Sequence, residues 1–143
     1  MKYEPLENLG VFIHAVDLEI TGYVNKQLAG FQLTSEQNLV MAILWEREGI
    51  SQNEIAARLG KDKSSITRML STLERKGYIR RETCSIDRRA IEIFLTETGR
   101  KLGEKVIPIN KQIVQAIKNG LTCEEIVELQ RLLTKVRENV SES

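Results

Sequence analysis

The stretch from Ser51 to Gly77 constrains this chain more than any other part of it. Ser51 and Glu54 stand at capping-box spacing, where a hydroxyl and a carboxylate can each bond an exposed backbone donor, and they open a short helix through Leu59. Gly60 supplies the permissive backbone that a tight reversal needs. Asp62 is a good N-cap for a further helix, which runs to about Lys76 and stops at Gly77. Helix, short glycine turn, helix is the helix-turn-helix pattern. The hydrophobic period then changes. Residues 78–83 and 90–95 read as strands, with Ile91, Ile93 and Leu95 alternating against Ala90, Glu92 and Phe94, and residues 85–89 form the tip between them. The expected fold class is therefore mainly α with a small two-stranded β wing.

Helices flank this unit on both sides. Residues 6–29 carry Leu6, Leu9, Phe12, Ile13, Val16, Ile20, Tyr23, Val24 and Leu28 at steps of three and four, one broad apolar stripe with Gly30 as its stop. Thr34 and Gln37 make a capping box for the next helix, which ends near Glu48 and Gly49. After the wing, Thr96 caps a helix reaching about Lys118, in which Pro108 is expected to cause a bend or break. Thr122 and Glu125 form another capping box, with Leu121 and Ile126 as its hydrophobic staple. The last helix places Ile126, Leu129, Leu133, Val136 and Val140 on one side. The expected division is 1–32, 33–96 and 97–143.

The helix after Asp62 carries the functional signal. On a wheel of about 100° per residue, Ile66, Met69, Leu70 and Leu73 face one way. Ser64, Arg68, Ser71 and Arg75 face the other, flanked by Ser65, Thr67 and Thr72. An ordinary exposed helix face favours Glu, Lys, Gln and Ala, so a face of hydroxyls and arginines weakens helicity and needs another reason to exist. Small hydroxyl residues let a helix approach a groove closely, and arginine bonds guanine O6 and N7 with two parallel hydrogen bonds. The helix N-terminus adds backbone N–H groups that suit a phosphate. Charge is concentrated in the same place. Residues 58–89 hold ten basic and four acidic side chains, a net +6 in a chain whose total is +1. Such a local basic patch is an electrostatic footprint for nucleic acid, against the plainer reading of a solvated charged face. At the wing tip, Arg88 and Arg89 can reach a minor groove, and Asp87 is expected to pair with a nearby arginine and hold the loop in shape.

Composition narrows the remaining classes. No apolar run is long enough to span a bilayer, and the N-terminus lacks the pattern of a signal peptide. Cys84 and Cys123 have neither metal nor redox spacing, which fits a cytoplasmic protein with reduced, inert thiols. The lone histidine, His14, lies on an apolar helix. No phosphate loop, metal-ligand set or nucleophile motif is found, so neither an enzyme nor a cofactor is expected. The competing class is a winged-helix protein-interaction module that binds no DNA. Arg68, Arg75 and Arg89 argue against it, because such modules usually lose the basic face.

The run from Leu33 to Leu102 resembles the MarR family of bacterial transcriptional regulators. The matching pieces are residues 33–37 (LTSEQ), 51–56 (SQNEIA), 62–68 (DKSSITR), 73–81 (LERKGYIRR), 87–89 (DRR) and 95–99 (LTETG). The resemblance implies a homodimer in which the first helix and the last two pack against their copies. It implies a sequence-specific regulator of double-stranded DNA, acting as a repressor on a pseudo-palindromic site. It places residues 63–76 in the major groove and makes Asp87 and Arg89 the characteristic wing pair, with Arg88 second to Arg89 for groove insertion. It also implies release by a small, often aromatic or phenolic, ligand. His14, Tyr23 and Trp45 are the candidates to line its pocket, with core or surface roles as their ordinary alternative. An oxidant-sensing cysteine of the kind some members carry in the first helix is missing here.

Overall fold

The computed structural model describes residues 8–84, 86–87 and 89–141. Helix α1 spans Leu9–Leu28 and runs into a single 3-10 turn over Ala29–Phe31. Residues 6 and 7, the expected start of α1, lie outside the described residues. The chain turns at Gln32, which holds a left-handed conformation with φ of 55°, and not at Gly30. Lys76 Nζ bonds the Gln32 carbonyl at 2.6 Å and so fixes this unusual corner.

Helix α2 spans Ser35–Glu46, and both bonds of its capping box form. Gln37 N donates to Thr34 Oγ1 at 3.1 Å and Thr34 N donates to Gln37 Oε1 at 3.2 Å. Helix α3 covers Gln52–Leu59 and α4 covers Lys63–Arg75. Only half of the box expected at Ser51 is made. Ser51 Oγ accepts from Glu54 N at 3.1 Å, while the Glu54 carboxylate turns to Arg47 and Arg58 at 3.6 and 4.0 Å. Gly60 ends α3 with a φ of 63°, as the turn between the two helices requires.

The wing strands are β2, Ile79–Thr83, and β3, Ile91–Leu95. The expected two-stranded wing is part of a three-stranded antiparallel sheet ordered β1-β3-β2. Its added strand, β1, is only Ile50–Ser51, pairing Ile50 with Ile93 and Ser51 with Glu92. Two residues show no alternation, so this strand is hidden in a sequence reading. In the hairpin, Arg80 lies opposite Phe94 and Arg81 opposite Ile93.

The described residues fall into two compact units, divided after Asn110. The first has a continuous core drawn from every element of the winged region, including Leu28, Val40, Met41, Ile50, Ile55, Ile66, Leu70, Leu73, Ile79, Ile93 and Val106. Burying such side chains, each worth about 1.5–3 kcal/mol, is the main force holding these elements together. Helix α5 spans Glu97–Lys118 and starts where Thr96 Oγ1 accepts from Gly99 N at 3.0 Å. Gly99 has no room for a side chain, since a Cβ there would overlap the Tyr78 carbonyl oxygen. Trp45 Nε1 donates to the Gly99 carbonyl at 3.0 Å, and the indole lies against Gly103. The buried Asn38 and the half-buried Asn110 exchange two hydrogen bonds, at 2.9 and 3.1 Å. Pro108 does not break α5, which continues through it as one helix.

The second unit holds the end of α5 and helix α6, Cys123–Ser141. Its capping box is complete, with bonds of 2.9 and 3.0 Å between Thr122 and Glu125. Helix α6 buries none of its residues within the chain. No helix among the described residues is long and apolar enough to cross a membrane.

Candidate nucleic-acid interface

Helix α4 is anchored by three side chains with no exposed surface, Ile66, Leu70 and Leu73, and by the half-buried Met69. Its other side is open, with Ser64, Thr67, Arg68 and Arg75 exposed and Ser65 and Ser71 half-buried. The wheel drawn from the sequence thus matches the observed faces. The expected cap forms at the N-terminus of α4. Asp62 Oδ1 accepts from Ser65 N at 2.7 Å, so a carboxylate already occupies one of the donors that had been expected to suit a phosphate. The Ser65 backbone bond, then the Ser65 hydroxyl and the nearby Arg68 charge, hold the Asp62 carboxyl below its ordinary range.

Hydrogen bonding sorts the polar face into two groups. Thr67 Oγ1 accepts from Gln52 Nε2 at 2.8 Å and donates to the Lys63 carbonyl at 2.7 Å. Ser71 Oγ accepts from Arg81 at 3.3 Å. These two hydroxyls therefore tie α4 to α3 and to β2. Arg75 leans along its own helix to Thr72 Oγ1 at 3.2 Å. The side chains of Ser64 and Arg68 make no hydrogen bond or ion pair with another described residue, although Arg68 lies close enough to Asp62 to influence its charge.

The basic residues divide in the same way. Lys61 pairs with Glu36 at 2.9 Å, Arg80 with Glu82 at 2.9 Å, and Arg81 with Glu74 at 2.9 Å. Arg80 also lies over the Phe94 ring at 4.9 Å. Lys76 is spent on Gln32 and Gln37. Of the cluster seen in the sequence, Lys63, Arg68, Arg75, Lys76 and Arg89 are the described residues that pair with no acidic side chain, and Lys76 is held by neutral oxygens instead. Of the other four, three lie on α4 and one on the wing. An open groove of about 440 Å³ beside α4, lined by Thr34, Lys61, Arg68 and Thr72 among others, keeps this side of the helix uncovered.

At the wing tip, Asp87 Oδ1 accepts from the Arg89 backbone N–H at 3.0 Å, and Ala90 N donates to the Asp87 carbonyl at 3.0 Å. Asp87 therefore shapes the loop through main-chain bonds, and among the described residues no arginine side chain pairs with it. Arg88 lies outside the described residues. Cys84 sits just past the end of β2, half-buried, and Cys123 is exposed at the start of α6; both are free thiols.

The ligand-pocket candidates are placed as follows. His14 and Tyr23 are exposed on α1, and Trp45 is half-buried with its N–H engaged by Gly99. Four residues act as supports, a role not assigned to them from the sequence: Gln52, Glu74, Lys76 and Arg81. One of them leaves a signal there. Arg81 falls on the same side of its strand as Ile79, and a charged residue on the inner side of a strand implies an internal partner.

An anchored helix with an open polar face, preceded by a helix and turn and followed by a β hairpin, defines a winged-helix protein of the DNA-binding type. A model of the MarR family matches residues 33–91. The Methylorubrum extorquens transcriptional regulator TtmR is 44% identical over 79 residues, which cover 55% of this chain and 40% of TtmR. The chain thus spans less than half the length of that relative. The Staphylococcus aureus MepR–DNA complex superposes with a TM-score of 0.81 and 28% identity, over 92% of this chain and 97% of that one. A mutant E. coli MarR complexed with operator DNA gives a TM-score of 0.77 and 29% identity, over 90% and 92% of the two chains. The family model, the curated relative and the two solved structures thus all liken this chain to the MarR family.

Proposed function

We propose that this protein is a transcriptional regulator that binds double-stranded DNA sequence-specifically as a homodimer. The observation that carries the reading is the placement of Arg68 and Arg75, with Ser64, on the open side of a rigidly seated α4, beside a wing tip carrying Arg89. Arginine on a major-groove helix reads guanine, and arginine on a wing favours the strongly negative minor groove. Two related structures were determined with DNA, which supports the same reading. A two-fold dimer would meet a pseudo-palindromic operator with half-sites about 34–36 Å apart. We read the protein as a cytoplasmic, non-enzymatic repressor. In this reading a small aromatic or phenolic ligand relieves repression, with His14, Tyr23 and Trp45 as candidate contacts.

Selection of bound fragments from a random duplex pool tests this. The wild-type protein is expected to enrich a pseudo-palindrome. Arg68→Ala should bind it about 1–3 kcal/mol more weakly and with relaxed base preference. Equal affinity of wild type and Arg68→Ala for the enriched duplex would remove α4 from its reading role. Enrichment of nothing by wild type, before and after refolding to strip any bound ligand, would favour a protein-interaction module.

A further inference from the structure

We propose that Arg81 is the positioning residue that sets the wing against the recognition helix, and that Glu74 is its seat. As an account of DNA binding, this rests on the function proposed above. The base of the hairpin is already held by the main chain. Gly77 N bonds the Glu74 carbonyl at 2.9 Å, Tyr78 N bonds the Leu73 carbonyl at 3.1 Å, and Thr96 N bonds the Tyr78 carbonyl at 3.0 Å. Farther out, the hairpin has one described polar tie to α4. Arg81 bonds Glu74 Oε1 at 2.9 Å and Ser71 Oγ at 3.3 Å. The two acceptors lie about one helical turn apart and both are bonded by Nη2 of the planar guanidinium, so together they fix where this side chain, and with it β2, sits along α4. The Arg81 side chain is only 24% exposed, less than its Glu74 partner at 40%. Its neighbour Arg80 is turned outward and is engaged within the hairpin, by Glu82, the Leu95 carbonyl and the Phe94 ring.

The lever arm explains why this tie matters. From Arg81 the paired hairpin continues to Cys84, whose N–H bonds the Ala90 carbonyl at 2.8 Å, an advance of roughly 10 Å at about 3.3 Å per residue. A hinge of about 10° at Arg81 would move this outer end, next to Arg89, by about 2 Å, enough to separate the wing-tip Arg89 from a hydrogen-bond partner. Arg81 therefore acts on DNA through Arg89, not by touching DNA itself.

The sign of one substitution separates this from a simple phosphate contact. Removing an acid beside a DNA surface ordinarily strengthens binding, because it lessens repulsion of phosphate. Glu74→Ala keeps Arg81 and its charge but removes its seat, on an exposed helix position where alanine is favourable. Against the duplex enriched by wild type, Glu74→Ala is expected to weaken binding about tenfold, the size of one good arginine contact. Arg89→Ala should cost a similar factor in the wild-type background but less than about twofold in the Glu74→Ala background, the coupling that a double-mutant cycle measures. Unchanged or tighter binding by Glu74→Ala, or independent losses in the cycle, would overturn the proposal. Amide hydrogen exchange without DNA gives a second, independent readout. Exchange over residues 79–95 should quicken at least about fivefold in Glu74→Ala and Arg81→Ala, with α1 and α2 unchanged. No change there overturns the clamp whatever DNA does. Faster exchange in a protein whose wild type binds no duplex supports the clamp and refutes the DNA-binding reading instead.

Discussion

Helices α4 and α6 are alike in sequence logic and opposite in what they bury. Each starts from a side-chain cap on an N–H three residues on, and each carries apolar residues at helical spacing. Within the chain, α4 hides Ile66, Leu70 and Leu73 completely, while α6 leaves Val127, Leu129, Leu132, Leu133 and Val140 between 42% and 66% exposed. The chain thus completes the surroundings of α4 by itself and leaves the stripe on α6 for another surface. The first half of helix α1 repeats the second case, with Leu9, Val11, Phe12 and Val16 exposed, while its end buries Val24 and Leu28 in the core. The contrast teaches that an amphipathic pattern states how much a helix must bury but not against which chain. In the proposed homodimer the partner copy supplies the missing surface.

Three experiments press on this contrast. The largest effect is expected from Leu129→Asp with Leu133→Asp, because a two-fold dimer carries both changes twice. Losing about 1.5–3 kcal/mol for each leucine no longer buried would dissociate it at micromolar concentration. Analytical ultracentrifugation checks this, and a variant of unchanged sedimentation would mean that α6 faces solvent. Next in size is Leu70→Ala, which opens a cavity under the reading helix and should lower folding stability by about 2–5 kcal/mol in urea denaturation. If it cost no more than an exposed leucine in α6, the distinction between the helices would collapse.

The smallest effect lies at the α4–β2 tie. The hydrogen bond from Arg81 holds the Glu74 carboxyl below its ordinary value of 4.5. A depressed carboxylate contributes stability that is fully present above pH 4.5 and is lost as the pH falls through its lower, folded value. For a partly exposed pair this amounts to about 0.2–1 kcal/mol. Glu74→Gln should remove that part of the acid limb in a stability–pH profile while leaving the rest. An identical profile in the variant would show that the pair contributes nothing measurable.

The parts of the fold legible in the sequence are those decided within a few residues. The caps at Thr34, Asp62 and Thr122 form as read because donor and acceptor are three residues apart. The buried face of α4 follows from helical period alone. What stayed hidden depends on distant pairs. Ser71 looks like a free hydroxyl on a wheel, but Arg81, ten residues on, binds it once the hairpin folds back. Thr67 is likewise taken by Gln52, fifteen residues earlier. Pro108 reads as a breaker, yet a proline forfeits one hydrogen bond, and a helix with side chains such as Val106 in the core can carry that loss. The site was therefore legible as a face, and its division into supports and open groups was not.

The reciprocal pair of Asn38 and Asn110 has a consequence for how such a chain can diverge. Each amide is donor and acceptor to the other across 72 residues of sequence. Replacing one by a hydrocarbon would strand the other's polar atoms in a shielded place, at about 1–3 kcal/mol, whereas replacing both together can be nearly neutral. The fitness of either position is then conditional on the other. Two sites on different helices behave as a single heritable unit, which drift can cross by a paired step far more easily than by two separate ones.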